Sequence, residues 1–394
     1  MRLAIVGELP SNATAAGALG RCYDIASLSD ALTGNGHEVR LFTASSAGSA
    51  RVSGDYEVVT LPVEVESDGL SESLMPAIGD LSRLLVDQWT HDTPDVVHCH
   101  GLPYGMATQL AAKRHPVPTV QSFDGLDTLT QRRGTGAAAP GTRIRLQTLL
   151  VKNATTVAAA CTDDLQELIR FACPRTKVSV VPAGVTVDEE QLAAAPQNAR
   201  DASHQVVAFA SGPARYDRLA DVVKALPVLA HTHLRLVAAG PADQRDISRL
   251  HQLAARLGAG DRMQTVTVDD EEQLCAVFRS ADVVVCPASY DAYGTVALQA
   301  MANGAAVVAA GAGGMRDAVI PEVTGLLVPP GNIDALRRAL RSLISQPVLR
   351  EGLGLAGRSR ARSRYSWARV ATDAELAYRA AAERHRAARE RASA

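Results

Sequence analysis

Several signatures are missing from this 394-residue chain. Its six cysteines (Cys22, Cys99, Cys161, Cys173, Cys275 and Cys286) form no Cys-x-x-Cys pair, which argues against structural zinc and thioredoxin-type redox chemistry. No charge of one sign prevails. Forty basic against forty-two acidic residues leave a formal charge of −2, which argues against a nucleic-acid-binding body. No apolar run reaches the roughly 18 residues of a membrane span. The opening Met1-Arg2-Leu3-Ala4-Ile5-Val6-Gly7 is too short and too soon interrupted for a signal peptide. A cytoplasmic protein with reduced, buried thiols is expected. The only metal-like pattern is His98-Cys99-His100 on a strand. It puts two imidazoles on one face, but no acidic or cysteine cluster completes a ligand set, so no metal is expected.

What is present is alternation of strand and helix. The chain is too long for one small core, so two domains are expected. Residues 281–317 organise the whole. Residues 282–286 are a β-branched run ended by Pro287, the pattern of a buried parallel strand. A loop follows, then a helix from near Gly294 to Ala302, with Asn303-Gly304 as its stop. Residues 306–309 form the next strand, and Gly311, Gly313 and Gly314 lead into another helix start at Met315. Two helix N-termini then lie on one side of a sheet. Free amides and a positive dipole end suit that edge to a phosphate-bearing ligand.

The N-terminal half starts the same way. A strand over 3–6 runs into a small-residue loop with Gly17 and Gly20, and a helix over about 22–32 stops at Gly34-Asn35-Gly36. Further strands are expected at 37–42, 58–61, 95–100, 118–123 and 177–181, with helices at 74–88 and 105–113. Asp163-Asp164 reads as the cap of the helix that follows it. Asp124, at the end of a strand, is a general base or hydroxyl acceptor, or simply a turn aspartate. The Ala-, Asn- and Gln-rich run 188–204 reads as a linker, and a second sheet starts at 205–210. The Ala/Arg-rich tail from Arg358, containing Tyr365-Ser366-Trp367, reads as helix with a solvated basic face.

In order along the chain, these motifs resemble the retaining GT-B glycosyltransferases of family 4. The central signature there is an acidic residue, seven residues and a Glu, flanking an aromatic-Gly pair. Here those positions are Asp291, Tyr293-Gly294 and Gln299. The resemblance covers nearly the whole chain and implies an α/β GT-B fold of two Rossmann-like parallel-sheet domains facing across a cleft. It implies an N-terminal acceptor-binding domain (1–187), a C-terminal nucleotide-sugar-binding domain (188–360) and a terminal helix (361–394) crossing back to the first. Pro182-Ala183-Gly184-Val185 matches the family hinge.

The implied activity is sugar transfer from a nucleoside-diphosphate sugar to a small polar acceptor. That sugar nucleotide is a substrate, and neither cofactor nor metal is implied. Carried over position by position, Asp291 and Asp124 are catalytic candidates. Gly20, Gly212, Arg215, Arg218, Tyr293, Gly294, Thr295, Val296 and Gln299 are donor-binding candidates, and His100 is an acceptor-side candidate. Three departures stand out. Asp124 replaces a family His, Pro213 and Asp217 replace an Arg and a Lys that face the diphosphate, and Gln299 replaces Glu. Arg215 and Arg218 lie beside the lost cations and are candidate substitutes. Each charge-assisted phosphate contact contributes roughly 1.5–3 kcal/mol, so the changes divide the readings. The first is an active transferase, with specialised-metabolite or antibiotic sugar transfer suggested by the GC-rich style of composition. The second is a catalytically silent GT-B scaffold that binds or activates a partner enzyme, and the third is a GT-B epimerase. Sequence leaves a homodimer open.

Overall fold

The computed structural model describes residues 1–9, 23–44, 54–65, 74–132, 141–187, 204–209, 215–229, 231–239, 244–268 and 270–393. Two parallel sheets divide the chain. The first holds β1 (Arg2–Val6), β2 (Glu38–Ala44), β3 (Glu57–Leu61), β4 (Val96–His100), β5 (Thr119–Ser122), β6 (Thr156–Ala159) and β7 (Val178–Val180), in the order β3-β2-β1-β4-β5-β6-β7. The second holds β8 (His204–Ala208), β9 (Thr232–Ala239), β10 (Met263–Val268), β11 (Val283–Cys286), β12 (Ala306–Ala310) and β13 (Leu326–Val328), in the order β10-β9-β8-β11-β12-β13.

The strands are short β-branched runs because helices cover both faces of each sheet. Successive residues of β11 show it. Val284 and Cys286 pack into one core with the helix Thr295–Ala302. Val283 and Val285 pack into the opposite core with the helices Arg215–Ala225 and Ile333–Ser345. In the first sheet the helices Leu74–His91 and Leu102–Arg114 cover one face. The helix Ile25–Gly34 covers the other together with the last helix of the chain.

That last segment differs from the single tail helix read in the sequence. It is two helices, Pro347–Tyr365 and Trp367–Ser393, broken at Ser366. Ser366 forms a parallel bridge with Val185, whose N–H donates to Tyr365 O at 2.8 Å. The two crossings between lobes therefore run side by side. Gly184 is required there, because a Cβ would stand 2.3 Å from the Trp367 ring. Beyond the break, Val370, Ala371, Ala374, Ala377, Tyr378 and Ala381 are buried against the first lobe. Their helical spacing makes a narrow apolar stripe, and small alanines let the helix lie close to the sheet. Strand order reverses between β1 and β4 in one sheet and between β8 and β11 in the other. In open α/β sheets, ligands bind beyond the carboxyl ends of strands at such points.

Candidate active site

Beyond the end of β11 the chain makes a tight cap. Asp291 Oδ1 accepts from the amides of Tyr293 (3.1 Å) and Gly294 (2.8 Å). Gly294 sits at φ 67°, a conformation glycine adopts without strain, and opens the helix Thr295–Ala302. Asp291 O accepts from Gly314 N at 2.8 Å, which draws in the short helix Gly314–Ala318. The two helix starts nearly touch. A Cβ on Gly314 would lie 2.2 Å from Tyr293 C, and one on Gly294 would lie 2.6 Å from Met315 N. Thr295 and Val296 supply the first-turn amides of the longer helix.

Facing this cap are the ends of β4 and β5 in the first lobe. His100 Nε2 is 2.7 Å from Asp124 Oδ1, and its Nδ1 is 2.7 Å from Ser122 Oγ. Tyr23 stacks on His100 with ring centres 5.2 Å apart and leans on Tyr293 at 5.0 Å. Tyr293 Oη donates across the lobes to Phe123 O at 3.0 Å. Partial burial pushes the Asp124 carboxyl upward. His100, a main-chain hydrogen bond from Tyr23 and the Arg143 charge outweigh it and hold the group below its usual value. Asp124 is thus an exposed carboxylate poised at the cleft.

Asp163 and Asp164 depart from the sequence reading. They do not cap their own helix, Thr162–Arg170, which starts at Cys161 with no side-chain cap. They reach the other lobe instead. Asp163 Oδ2 accepts from Gly313 N at 2.9 Å and lies 3.5 Å from Arg316 Nη1 at Oδ1. Tyr290 Oη donates to Asp164. In return Asp317 Oδ2 accepts from Thr162 N at 2.7 Å. Each lobe caps a helix of its partner, and the Gly313 amide read as anion-binding is already taken. Burial pushes the Asp164 carboxyl up to about 7, against the downward pull of Tyr290 and neighbouring donors.

The other candidates are spread around this centre. Gln299 Nε2 donates to Glu271 Oε1 at 3.0 Å, and its buried Oε1 has no partner among the described residues. Glu271 itself is exposed and was not read from sequence as a site residue. Nothing in its local pattern separates it from a helix-start glutamate. Arg218 pairs with Asp221 at 2.9 Å and lies against Gly331. Gly20, Gly212, Pro213 and the side chains of Arg215 and Asp217 lie outside the described residues. Among the described residues, no group of three His, Cys, Asp or Glu gathers to hold a metal. No described helix is long and apolar enough to cross a membrane.

Two family models meet end to end on this framework. One described as Glycosyl transferase 4-like domain matches residues 23–184, and one described as Glycosyl transferases group 1 matches residues 190–360. The chain belongs to the group 1 glycosyltransferases. It is 28% identical over 376 residues to a D-inositol 3-phosphate glycosyltransferase of Streptomyces avermitilis, covering 89% of this chain and 80% of that protein. A protein of the same description from Geodermatophilus obscurus is 29% identical over 352 residues, covering 82% and 76%. Among solved structures, sucrose-phosphate synthase from Thermosynechococcus elongatus superposes with a TM-score of 0.78 at 22% identity, covering 96% of this chain and 98% of that one. Anabaena HepE in complex with UDP-glucose gives 0.71 at 18% identity, covering 95% and 99%. As a group 1 glycosyltransferase with the GT-B fold, the enzyme carries its signature segment at residues 291–299, on the cleft side of β11.

Proposed function

We propose that this glycosyltransferase moves a sugar from a nucleoside-diphosphate sugar to a small polar acceptor with retention at the anomeric carbon. The donor's diphosphate rests on the first-turn amides of Thr295 and Val296, where helix dipole and unpaired N–H groups favour negative charge. Gln299 accepts a ribose hydroxyl at its free Oε1. The bond from the anomeric carbon to the leaving phosphate breaks as the acceptor oxygen attacks from the same face, and that phosphate takes the nucleophile's proton. Stabilising the departing charge is then the largest demand on the protein. Asp124 receives a hydroxyl of the sugar or acceptor. Asp291, a catalytic candidate in the sequence, supports catalysis by holding the Tyr293 and Gly294 amides in place.

One observation carries this reading. The capped helix start at 293–296 and the Asp124–His100 pair face each other across the lobes, tied by Tyr293 Oη on Phe123 O at 3.0 Å. Relatives described as acting on inositol phosphate favour a small polyol acceptor. Specialised-metabolite transfer remains part of the proposal. Thermal unfolding with UDP, GDP and dTDP tests the donor half. A nucleotide at a hundred times its dissociation constant should stabilise the fold by about 2.7 kcal/mol, and no shift with any of the three would refute nucleotide-sugar use.

A further inference from the structure

Four buried side chains of the first lobe and its docked terminal helix line up without a break. Tyr378 Oη lies 2.8 Å from His98 Nδ1, and His98 Nε2 lies 3.0 Å from Ser122 Oγ. Ser122 Oγ lies 2.7 Å from His100 Nδ1, and His100 Nε2 lies 2.7 Å from Asp124 Oδ1. Tyr378, His98, Ser122 and His100 are all buried, whereas the Asp124 side chain is 46% exposed. Among the described residues the one competing acceptor for the Ser122 hydroxyl is the Cys99 carbonyl, at 3.5 Å, the outer limit of a hydrogen bond.

Donor and acceptor roles follow from the two ends. A carboxylate only accepts, so His100 carries a proton on Nε2. With His100 neutral, its bare Nδ1 takes the Ser122 hydroxyl proton. Ser122 Oγ must then accept from His98 Nε2. Burial pushes His98 down to about 3, so it holds a single ring proton, and its Nδ1 accepts from the Tyr378 hydroxyl. Every bond in the series points toward Asp124. Bonds aligned in this way polarise one another.

We propose that Tyr378, His98, Ser122 and His100 are positioning residues, a one-way hydrogen-bond chain that pins Asp124 Oδ1, keeps the group a carboxylate and leaves Oδ2 to receive a substrate hydroxyl. Tyr378 belongs to the helix Trp367–Ser393, so the chain is complete only when that helix is docked on the first lobe. The docking of the chain's last helix is thereby read at the cleft. Other groups facing the series are Tyr23 and Tyr293 on His100, Arg143 on Asp124 and Glu375 near Tyr378. They are common to all variants below. The inference rests on reading Asp124 as a substrate-facing group.

The test separates the two. In the full chain labelled with ¹⁵N-histidine, ring-nitrogen shifts should place the proton on Nε2 of both His98 and His100. A proton on Nδ1 of His100 would overturn the chain whatever the substrate. The Asp124 carboxyl ¹³C titration should move upward by about one pH unit in Ser122→Ala, and by less, in the same direction, in Tyr378→Phe, which removes one oxygen. The acid limb of the transfer rate should move with it. A purely structural role lowers melting temperature and leaves both midpoints in place, and that result in Tyr378→Phe overturns the proposal. Loss of nucleotide binding in the wild type would strike the functional reading alone, since the histidine shifts need no substrate.

Discussion

Replacing Asp164 by Asn should make the enzyme more stable, and increasingly so as pH rises. The carboxyl is buried, takes the Tyr290 hydroxyl across the lobes and is pushed from 3.8 up to about 7, with burial as the largest cause. Below pH 3.8 the group is protonated in both folded and unfolded chains, and it imposes no penalty. Between that value and about 7 the folded chain keeps a proton that the unfolded chain releases, so stability falls with rising pH. Above about 7 the full cost of a buried carboxylate is present. At 1.36 kcal/mol per pH unit the penalty is about 2 kcal/mol at pH 5 and about 4 kcal/mol at pH 8. Asparagine still accepts from Tyr290 and carries no charge. The stability gap between variant and wild type, from urea unfolding, should therefore widen by about 2 to 3 kcal/mol from pH 5 to pH 8. A gap that stays constant over this range would refute the assignment of a raised carboxyl to the latch between lobes.

Two further outcomes follow from close geometry. Gly314→Ala places a methyl 2.2 Å from main chain of the facing helix start. It should cost about 1–3 kcal/mol by overpacking and weaken nucleotide binding; a variant melting with the wild type would show that the helix starts are not held in contact. Glu271→Gln frees the Gln299 amide to turn over, so UDP should bind about tenfold more weakly, the equivalent of one hydrogen bond. Its 2′,3′-dideoxy counterpart should be unaffected, and calorimetric titration showing equal losses for both would remove Gln299 from ribose recognition.

Much of the architecture was legible because it depends on neighbours in sequence. The β-branched run before Pro287 is β11, and the Asn303-Gly304 stop ends the following helix, with Gly304 at φ 75°. The glycines at 294, 313 and 314 could be seen, but not why they are glycines. That reason is a main chain some twenty residues away, close enough to exclude a Cβ. Asp163 and Asp164 were misread for the same cause. A helix-start acid caps its own helix in most local contexts, and here its partners lie about 150 residues downstream, in the other lobe.

Sequence alone determined the two parallel sheets, the family and the segment that lines the cleft, since periodicity, turn residues and motif spacing are properties of short stretches. Tertiary structure decided what each candidate side chain does. Asp291 holds amides, Arg218 pairs with Asp221, and Asp124 ends a hydrogen-bond series that starts on a helix 254 residues further along the chain. Such roles rest on which donor meets which acceptor within about 3 Å, and only the folded chain brings residues so distant in sequence to that separation.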